Sequence, residues 1–385
     1  MVYHALIKVL PLNKKVILFE SSVGRSYSGN PKYIYEEFVT QGLDRQFKCI
    51  WVLENASISI PGCCIKVKKM RFKHLYYASI SGLWIVDSRQ SELFTKRKER
   101  KIVQTWHGTP LKKLALDMHV MNIAGDTNLT DYQMKFVEDV KSWDYLISQN
   151  HYSTEKFRSA FSFQGDFWEV GYPRNDILMN HNDEATIYQL KIKLGLPVNK
   201  KIILYAPTFR DDEYYGPGKW KLNLHLDLSL MKKQLAEDFI IVIKLHYFQQ
   251  EQIRFNYELN DFIYVFHPDQ DIQLLYLVAD LMITDYSSVM FDYSILRKPI
   301  ILYLYDFEKY RNELRGFYFD IRKESPGPVV YDQEQLIEAI NSSEANFELY
   351  KEKYEKFIEQ FNYLDDGKAA SRVVDKIKQI YMINQ

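Results

Sequence analysis

One repeated pattern limits this chain more than any other feature. Short, unbroken apolar runs recur along it, each followed by a stretch of helical polarity. The first series is Lys15–Phe19, Phe47–Leu53, Leu83–Asp87, Ile102–Trp106, Tyr145–Ser148 and Phe167–Val170. The second is Ile202–Tyr205, Phe239–Lys244, Phe262–Phe266, Leu281–Thr284 and Ile300–Tyr303. A strand with one wet face alternates apolar and polar residues. These runs are continuous, as parallel strands covered on both faces must be. Amphipathic stretches at Lys32–Thr40, Asp131–Val140, Asp183–Leu194 and Asp271–Val278 supply the covering helices. Strands alternating with helices predict right-handed βαβ units and doubly wound sheets, and two series predict two α/β lobes. The 385 residues suit two domains of ordinary size. Polar Met179-Asn-His-Asn-Asp183 and the punctuation Gly195-Leu-Pro197 place the break near Leu178–Asn199. The expected lobes are therefore 1–182 and 183–385, with a helical Ala345–Ile383 packing back across them.

Composition narrows the function. Lys+Arg and Asp+Glu both number 50 and cancel, so no net positive charge draws the chain to nucleic acid. An apolar content of 46% excludes disorder as the dominant state. Cys49, Cys63 and Cys64 form no CxxC and read as small buried thiols, without zinc or disulfide. No signal peptide and no apolar run of about 18 residues occur, so the expectation is a soluble protein or one lying on a membrane.

In open parallel sheets, ligands bind beyond the carboxyl ends of the strands. Chemically capable residues stand there in both series. Phe19 leads to Glu20-Ser-Ser-Val-Gly24, Trp106 to His107-Gly-Thr-Pro110 and Val170 to Gly171-Tyr-Pro-Arg-Asn-Asp176. Tyr205 leads to Ala206-Pro-Thr-Phe-Arg210, Lys244 to Leu245-His246 and Thr284 to Asp285-Tyr-Ser-Ser288. This predicts one cleft between two facing sheets, with ordinary loop polarity as the alternative. His107 leaves its strand sharply. Gly108 permits close ligand approach, and Pro110 suits the first turn of a helix over Leu111–Leu116. A histidine there can act as a base near pH 7, or be structural. Ser287 or Ser288 is read as the cap of the next helix, whose N-terminus offers N–H groups to a diphosphate; a plain cap is the other reading. Arg210, after Ala206-Pro-Thr208, suits bidentate phosphate binding, or else pairs with Asp211 or Asp212. Lys244 and His246 add donors at the same edge. The basic stretches Lys66–Lys73 and Lys96–Lys101 suit an anionic membrane surface or a lipid diphosphate, or a solvated face. Asp269-Gln-Asp271 has the look of a metal-binding DxD, but Asp271 is better placed to cap the helix Ile272–Val278.

Taken together, the sequence resembles the CDP-glycerol glycerophosphotransferase family, the teichoic acid primases and polymerases of Gram-positive bacteria. The resemblance rests on Phe19-Glu-Ser-Ser with Ser28-Gly-Asn-Pro31, and on Gln104-Thr-Trp-His-Gly-Thr-Pro-Leu-Lys-Lys113. It continues through Trp143-Asp-Tyr-Leu-Ile-Ser148, Gly171-Tyr-Pro-Arg-Asn-Asp176 and Tyr205-Ala-Pro-Thr-Phe-Arg-Asp-Asp212. Thr284-Asp-Tyr-Ser-Ser-Val-Met-Phe-Asp292, Leu314-Arg-Gly-Phe-Tyr-Phe-Asp320 and Pro326-Gly-Pro328 complete it. These occur in family order between Lys15 and Arg372.

The resemblance implies a GT-B-like architecture: two Rossmann-like lobes, the N-terminal one on the acceptor side and the C-terminal one binding the donor. It implies transfer of glycerol phosphate from CDP-glycerol to a hydroxyl of a lipid-diphosphate-linked acceptor, with release of CMP. It also implies a cytoplasmic enzyme, peripheral on the inner face of the membrane. No cofactor is expected; Asp211 and Asp212 could hold a divalent ion or form a solvated acidic turn. His107 and His246 fall on the family's two motif histidines, although the second motif often reads His-Pro and here reads His246-Tyr247. His107 is the expected base, with His246 and Arg210 stabilising the phosphates. Ser287 and Ser288 would hold the diphosphate, among Gly108, Thr109, Thr208, Lys244 and Asp285, while Arg315 and Gly316 shape the nucleotide pocket. Three alternatives stay open: a CDP-ribitol ribitolphosphotransferase of the same family, a nucleotide-sugar glycosyltransferase, and a non-catalytic partner in wall-polymer assembly.

Overall fold

The computed structural model describes residues 2–119, 128–208, 214–216, 219–220, 224–244, 257–267, 269–311 and 316–382. The chain divides into two compact units: Met1–His107 with Met134–Asp176 and Leu364–Gln385, and Gly108–Gln133 with Ile177–Tyr363.

The first unit is built on β1 (Asn13–Glu20), β2 (Lys48–Leu53), β3 (Cys64–Lys68), β4 (Ser81–Val86), β5 (Lys101–Gln104), β6 (Tyr145–Ser148) and β7 (Asp166–Glu169). They form one sheet in the order β3-β2-β1-β4-β5-β6-β7, and every pairing is parallel. The second unit carries β8 (Lys201–Ala206), a two-stranded antiparallel ribbon of β9 (Tyr214–Gly216) and β10 (Lys219–Trp220), then β11 (Phe239–Lys244), β12 (Ile263–Phe266), β13 (Leu281–Thr284), β14 (Ile300–Tyr303) and β15 (Val329–Val330). Its main sheet runs β12-β11-β8-β13-β14-β15, again all parallel. Both units are thus doubly wound and Rossmann-like. Chain direction across the sheet reverses between β1 and β4 and between β8 and β13. Such switch points are where loops diverge and open a crevice.

The apolar runs became strands because burial on both faces removes every reason to alternate. All six residues of β4 are buried, and so are the last five of β8. Within the two main sheets the strands missed, β3 and β15, are short and lie at sheet edges. In β3 only Val67 is fully buried, while Lys66 and Lys68 point to water, a common way to blunt an edge. Cys64 opens that strand and Cys63 precedes it; Cys63 is exposed and Cys64 half-buried, and only Cys49 is buried as expected. Asp271 caps its helix as expected, and Asn150, Asp183 and Asp332 cap theirs in the same way, each accepting a main-chain N–H two or three residues ahead. That use of Asp271 answers the DxD reading.

Two expectations are corrected. Leu111–Leu116 is not a helix: Lys112 pairs antiparallel with Phe317, and only Ala115–Asp117 makes a 3-10 turn. Lys113 N–H donates to the Gly316 carbonyl (2.8 Å) and Tyr318 N–H to the Leu111 carbonyl (3.0 Å), so long-range ladder bonds replace helical ones. The stretch Lys96–Lys101 is not a free basic surface. Arg100 is wholly buried, giving its guanidinium N–H groups to the carbonyls of Ala78, Ser79 and Ser81 and to the Tyr3 hydroxyl. Arg97 donates to the Leu10 and Ser79 carbonyls, and Lys96 and Lys101 pair with Asp144.

The C-terminal helix Ala369–Met382 belongs to the first unit and adds Val373, Val374 and Ile377 to its core. Asp176 caps it, accepting from Ala369 N–H (2.9 Å) and Ala370 N–H (2.8 Å). Gly171 makes the approach possible. Its φ is +79°, and a Cβ there would lie 2.6 Å from the Leu364 carbonyl oxygen. Among the described residues no helix is long and apolar enough to cross a membrane.

Candidate active site

In the first unit the site grows from the ends of β1, β4 and β5. The chain leaves β5 through Thr105 and Trp106, and Trp106 takes a left-handed φ of +51°. That conformation is costly for a bulky side chain. An aromatic bed compensates: the indole packs on Phe161 (4.7 Å) and Phe157 (5.8 Å), and its own N–H backbone group donates to Gln104 Oε1 (3.0 Å). The turn presents His107 at the surface, stacked on the Trp106 ring at 4.5 Å and 23°.

His107 Nδ1 lies 2.8 Å from the Asp87 carbonyl oxygen. A carbonyl can only accept, so Nδ1 carries the proton and Nε2 presents a lone pair. The ring can be reached by solvent, yet protein atoms crowd it closely. That crowding lowers its pKa from the ordinary value; the bond to Asp87 opposes the shift and the charge of Arg174 adds to it. The histidine is therefore neutral near pH 7 with Nε2 free to take a proton.

Asp87 follows β4 directly. Its carboxylate accepts the Ser22 N–H with both oxygens (2.9 and 3.0 Å) and the Ser88 hydroxyl (2.7 Å), which ties the loops after β1 and β4 together at the switch point. Burial raises its pKa to about 6 despite those donors and Arg174. Beside it Glu20 is buried too, and burial raises its pKa although Lys69 (3.5 Å) and Gln90 pull the other way.

The second unit repeats the device. Asp285 follows β13 directly, and its Oδ1 accepts the N–H of Thr208 (2.7 Å) and of Tyr286 (2.6 Å), joining the loops after β8 and β13. Tyr286 is locked beneath by its hydroxyl donating to Asp306 Oδ1 (2.9 Å) and by stacking on Tyr310 (4.0 Å, 21°). Ser287 and Ser288 come next, both half-buried. Ser288 occupies the N-cap of the five-residue helix Val289–Tyr293 but makes no capping bond with its side chain. The Ser287 hydroxyl accepts Val289 N–H only at 3.5 Å. The expected serine cap is thus weak, and the hydroxyls are not engaged in strong capping.

Other candidates separate by position. Gly108 and Thr109, the next two residues in the chain, are buried. Lys244 donates to the carbonyls of His267 (2.7 Å) and Gln270 (2.6 Å), which pins the loop before the helix Ile272–Val278, and burial pushes its pKa down to about 8. Gly316 faces Lys113, whose side chain would stand 3.2 Å from a Cβ there. Arg210, Asp211, Asp212, His246 and Arg315 lie outside the described residues. Asn30, Asp87 and Arg174 surround the His107 exit without having drawn a role from the sequence. Asn30 and Arg174 stood inside quoted motifs, and Asp87 was readable as a carboxylate at a strand end.

A family model for CDP-Glycerol:Poly(glycerophosphate) glycerophosphotransferase matches residues 2–379. The teichoic acid poly(glycerol phosphate) polymerase of Bacillus spizizenii is 41% identical over 375 residues, 97% of this chain and 94% of that protein. The polymerase of the same description from Bacillus subtilis is 40% identical over 96% of this chain, which spans 49% of that longer protein. The solved structure of the wall teichoic acid polymerase TagF matches with a TM-score of 0.91 at 35% identity, over 100% of this chain and 94% of that one. Motifs, paired Rossmann-like units and these likenesses agree: the chain belongs to the CDP-glycerol:poly(glycerophosphate) glycerophosphotransferase family of transferases.

Proposed function

We propose that the protein transfers glycerol phosphate from CDP-glycerol to a hydroxyl of a lipid-diphosphate-linked acceptor in cell-wall teichoic acid synthesis. The observation that carries this reading is the state of His107: neutral, with Nδ1–H on the Asp87 carbonyl and Nε2 open. The acceptor oxygen attacks the phosphorus that bears the glycerol unit. Its proton passes to Nε2, the bond from that phosphorus to the CMP oxygen breaks, and CMP leaves with the electron pair. The reading gives the lobe 1–182 the acceptor and the lobe 183–385 the donor. The Ser287 and Ser288 hydroxyls, with Thr208, would hold the diphosphate on a loop that Asp285 braces. Arg210, His246, Arg315 and Gly316 keep the phosphate and nucleotide roles that the resemblance implies.

CMP release from CDP-glycerol and from CDP-ribitol, each with a lipid-diphosphate acceptor bearing one glycerol phosphate, tests the reading. Turnover of CDP-glycerol that His107→Ala abolishes is expected. Turnover of CDP-ribitol alone would replace the substrate, and no turnover of either by folded protein would reject the reading.

Peripheral membrane binding forms part of the proposal. Lys66, Lys68, Arg71 and Lys73 are exposed around Met70 (50% exposed) and Phe72 (66%), so cations flank two apolar side chains in water. Reversing these four charges should release the protein from anionic vesicles in co-sedimentation, whereas unchanged binding rejects this surface as the contact.

A further inference from the structure

We propose that Asn30 and Arg174 are positioning residues: together they clamp the backbone of the Thr105–His107 turn in the one conformation that aims His107. The inference rests on His107 being the base. Three consecutive carbonyls converge on these two side chains. Asn30 Nδ2 donates to the carbonyls of Thr105 (3.2 Å) and Trp106 (3.3 Å), and Arg174 Nη1 donates to that of His107 (2.8 Å). The two residues also hold each other, since Arg174 N–H donates to Asn30 Oδ1 (3.2 Å).

The turn needs such a hold. Trp106 at φ +51° is in a region that bulky L-residues avoid, and such strain persists only where the surroundings over-determine it. Asn30 is 1% exposed and Arg174 8%, so water does not compete for the bonds. Asn30 comes from the helix Gly29–Thr40 and Arg174 from the 3-10 turn Pro173–Asn175, so two separate elements converge on one turn. With the Asp87 carbonyl fixing Nδ1 from the far side, the clamp leaves the ring one direction for Nε2.

Arg174 has a second effect. The charged group acting on the ring is Arg174, while the uncharged Asp87 carbonyl accepts from Nδ1; the Asp87 carboxylate in turn acts on Glu20, which pairs with Lys69. Removing the guanidinium charge lets the His107 pKa rise. Turnover needs the neutral ring, so the acid limb of the pH profile moves to higher pH.

The test uses the full chain, with kcat and KM for CDP-glycerol measured from CMP release between pH 5 and 9. Site-resolved carbethoxylation of His107 is measured alongside, because it reports the free Nε2 without turnover. Asn30→Ala is expected to lower kcat about tenfold or more, as misplacement of a reacting group does, with KM within about twofold and the acid limb unmoved. Arg174→Met should lower kcat similarly and carry both the limb and the carbethoxylation midpoint to higher pH. Arg174→Lys keeps the charge but not the fork, so it should lower kcat and leave the limb in place. Wild-type kcat in Asn30→Ala or Arg174→Lys overturns the clamp, and so does a raised KM at unchanged kcat, which marks a substrate ligand instead. If Arg174→Met fails to fold, Arg174→Lys decides alone. Turnover that survives His107→Ala defeats the base assignment rather than the clamp. The limiting carbethoxylation rate of His107 in Asn30→Ala and Arg174→Lys then decides the clamp: a changed rate supports it, and the wild-type rate in both overturns it.

Discussion

Asp87→Asn should stabilise the protein at neutral pH and destabilise it in acid. Asp87 is 4% exposed, and its pKa stands at about 6 against an ordinary 3.8 because burial outweighs its donors. The difference of about 2 units is about 3 kcal/mol at roughly 1.4 kcal/mol per unit. The sign follows from proton binding. Below about pH 3 folded and unfolded chains both hold the proton, and burial carries no charge penalty. As pH rises from 3.8 the unfolded chain releases its proton first, so stability falls until the folded group ionises near 6. Above that the full penalty is present. Asparagine removes the titration, but one of the two Ser22 contacts, 2.9 or 3.0 Å, becomes N–H facing N–H at about 1 kcal/mol. The variant should then be more stable by about 2 kcal/mol at pH 7 and less stable by about 0.5 kcal/mol at pH 4 and about 1 kcal/mol at pH 3. Asp87 also raises Glu20, so losing its charge adds slightly to the gain at pH 7. Urea unfolding followed by tryptophan fluorescence suits the measurement, since Trp51, Trp84, Trp106, Trp143 and Trp168 all lie in the first unit. Taking the difference between the two proteins at each pH cancels the other titrating groups. A difference that stays constant from pH 4 to 7, or a wild type that gains on the variant as pH rises, would refute the reasoning.

Gly171→Ala tests how the C-terminal helix is anchored. A Cβ 2.6 Å from the Leu364 carbonyl oxygen at φ +79° forces that segment to shift and should cost about 2–4 kcal/mol, visible as a lower thermal midpoint. Ser287→Ala with Ser288→Ala should weaken CDP-glycerol binding in calorimetry about tenfold and leave the thermal midpoint within a degree or two, because Ser288 makes no capping bond. Unchanged affinity would remove both hydroxyls from the donor site.

The fold was legible wherever burial is two-sided. Continuous runs such as Ile202–Tyr205 and Leu281–Thr284 suit a parallel strand covered on both faces, and their alternation with helical stretches settled the reading. The short edge strand β3 was not legible: it holds two exposed lysines, and composition cannot distinguish it from a surface loop. Arg100 failed for the opposite reason. In sequence it is one cation of a basic run, but its partners are helix-end carbonyls about 20 positions away, at Ala78, Ser79 and Ser81. Leu111–Leu116 has a helix's opening and apolar content, and it lost to a ladder with Gly316–Tyr318 about 200 residues on. His107 was legible from its Gly-Thr-Pro exit. Asn30 and Arg174 were not, since their bonds go to main-chain carbonyls, which have no sequence, and their mutual contact spans 144 positions.

The same local solution occurs at both switch points, and it fixes the spacing of the loops there. Where strand order reverses, the loops after β1 and β4, and after β8 and β13, turn away from each other and leave main-chain N–H groups without ladder partners. In each unit the residue directly after the inner strand is an aspartate, and it takes the N–H of the neighbouring loop: Ser22 for Asp87, Thr208 for Asp285. A carboxylate is a poor ligand for a diphosphate but a strong acceptor for amides. Placed there, it fixes the loop spacing without offering itself to an anion. In the second unit that leaves the neighbouring Ser287 and Ser288 hydroxyls on a rigid support. In the first it leaves the Asp87 carbonyl as the acceptor that sets the His107 tautomer. The strand-end aspartate therefore acts in opposite halves of one proposed reaction, once holding a phosphate loop and once holding a base, with the same bond to a main-chain amide.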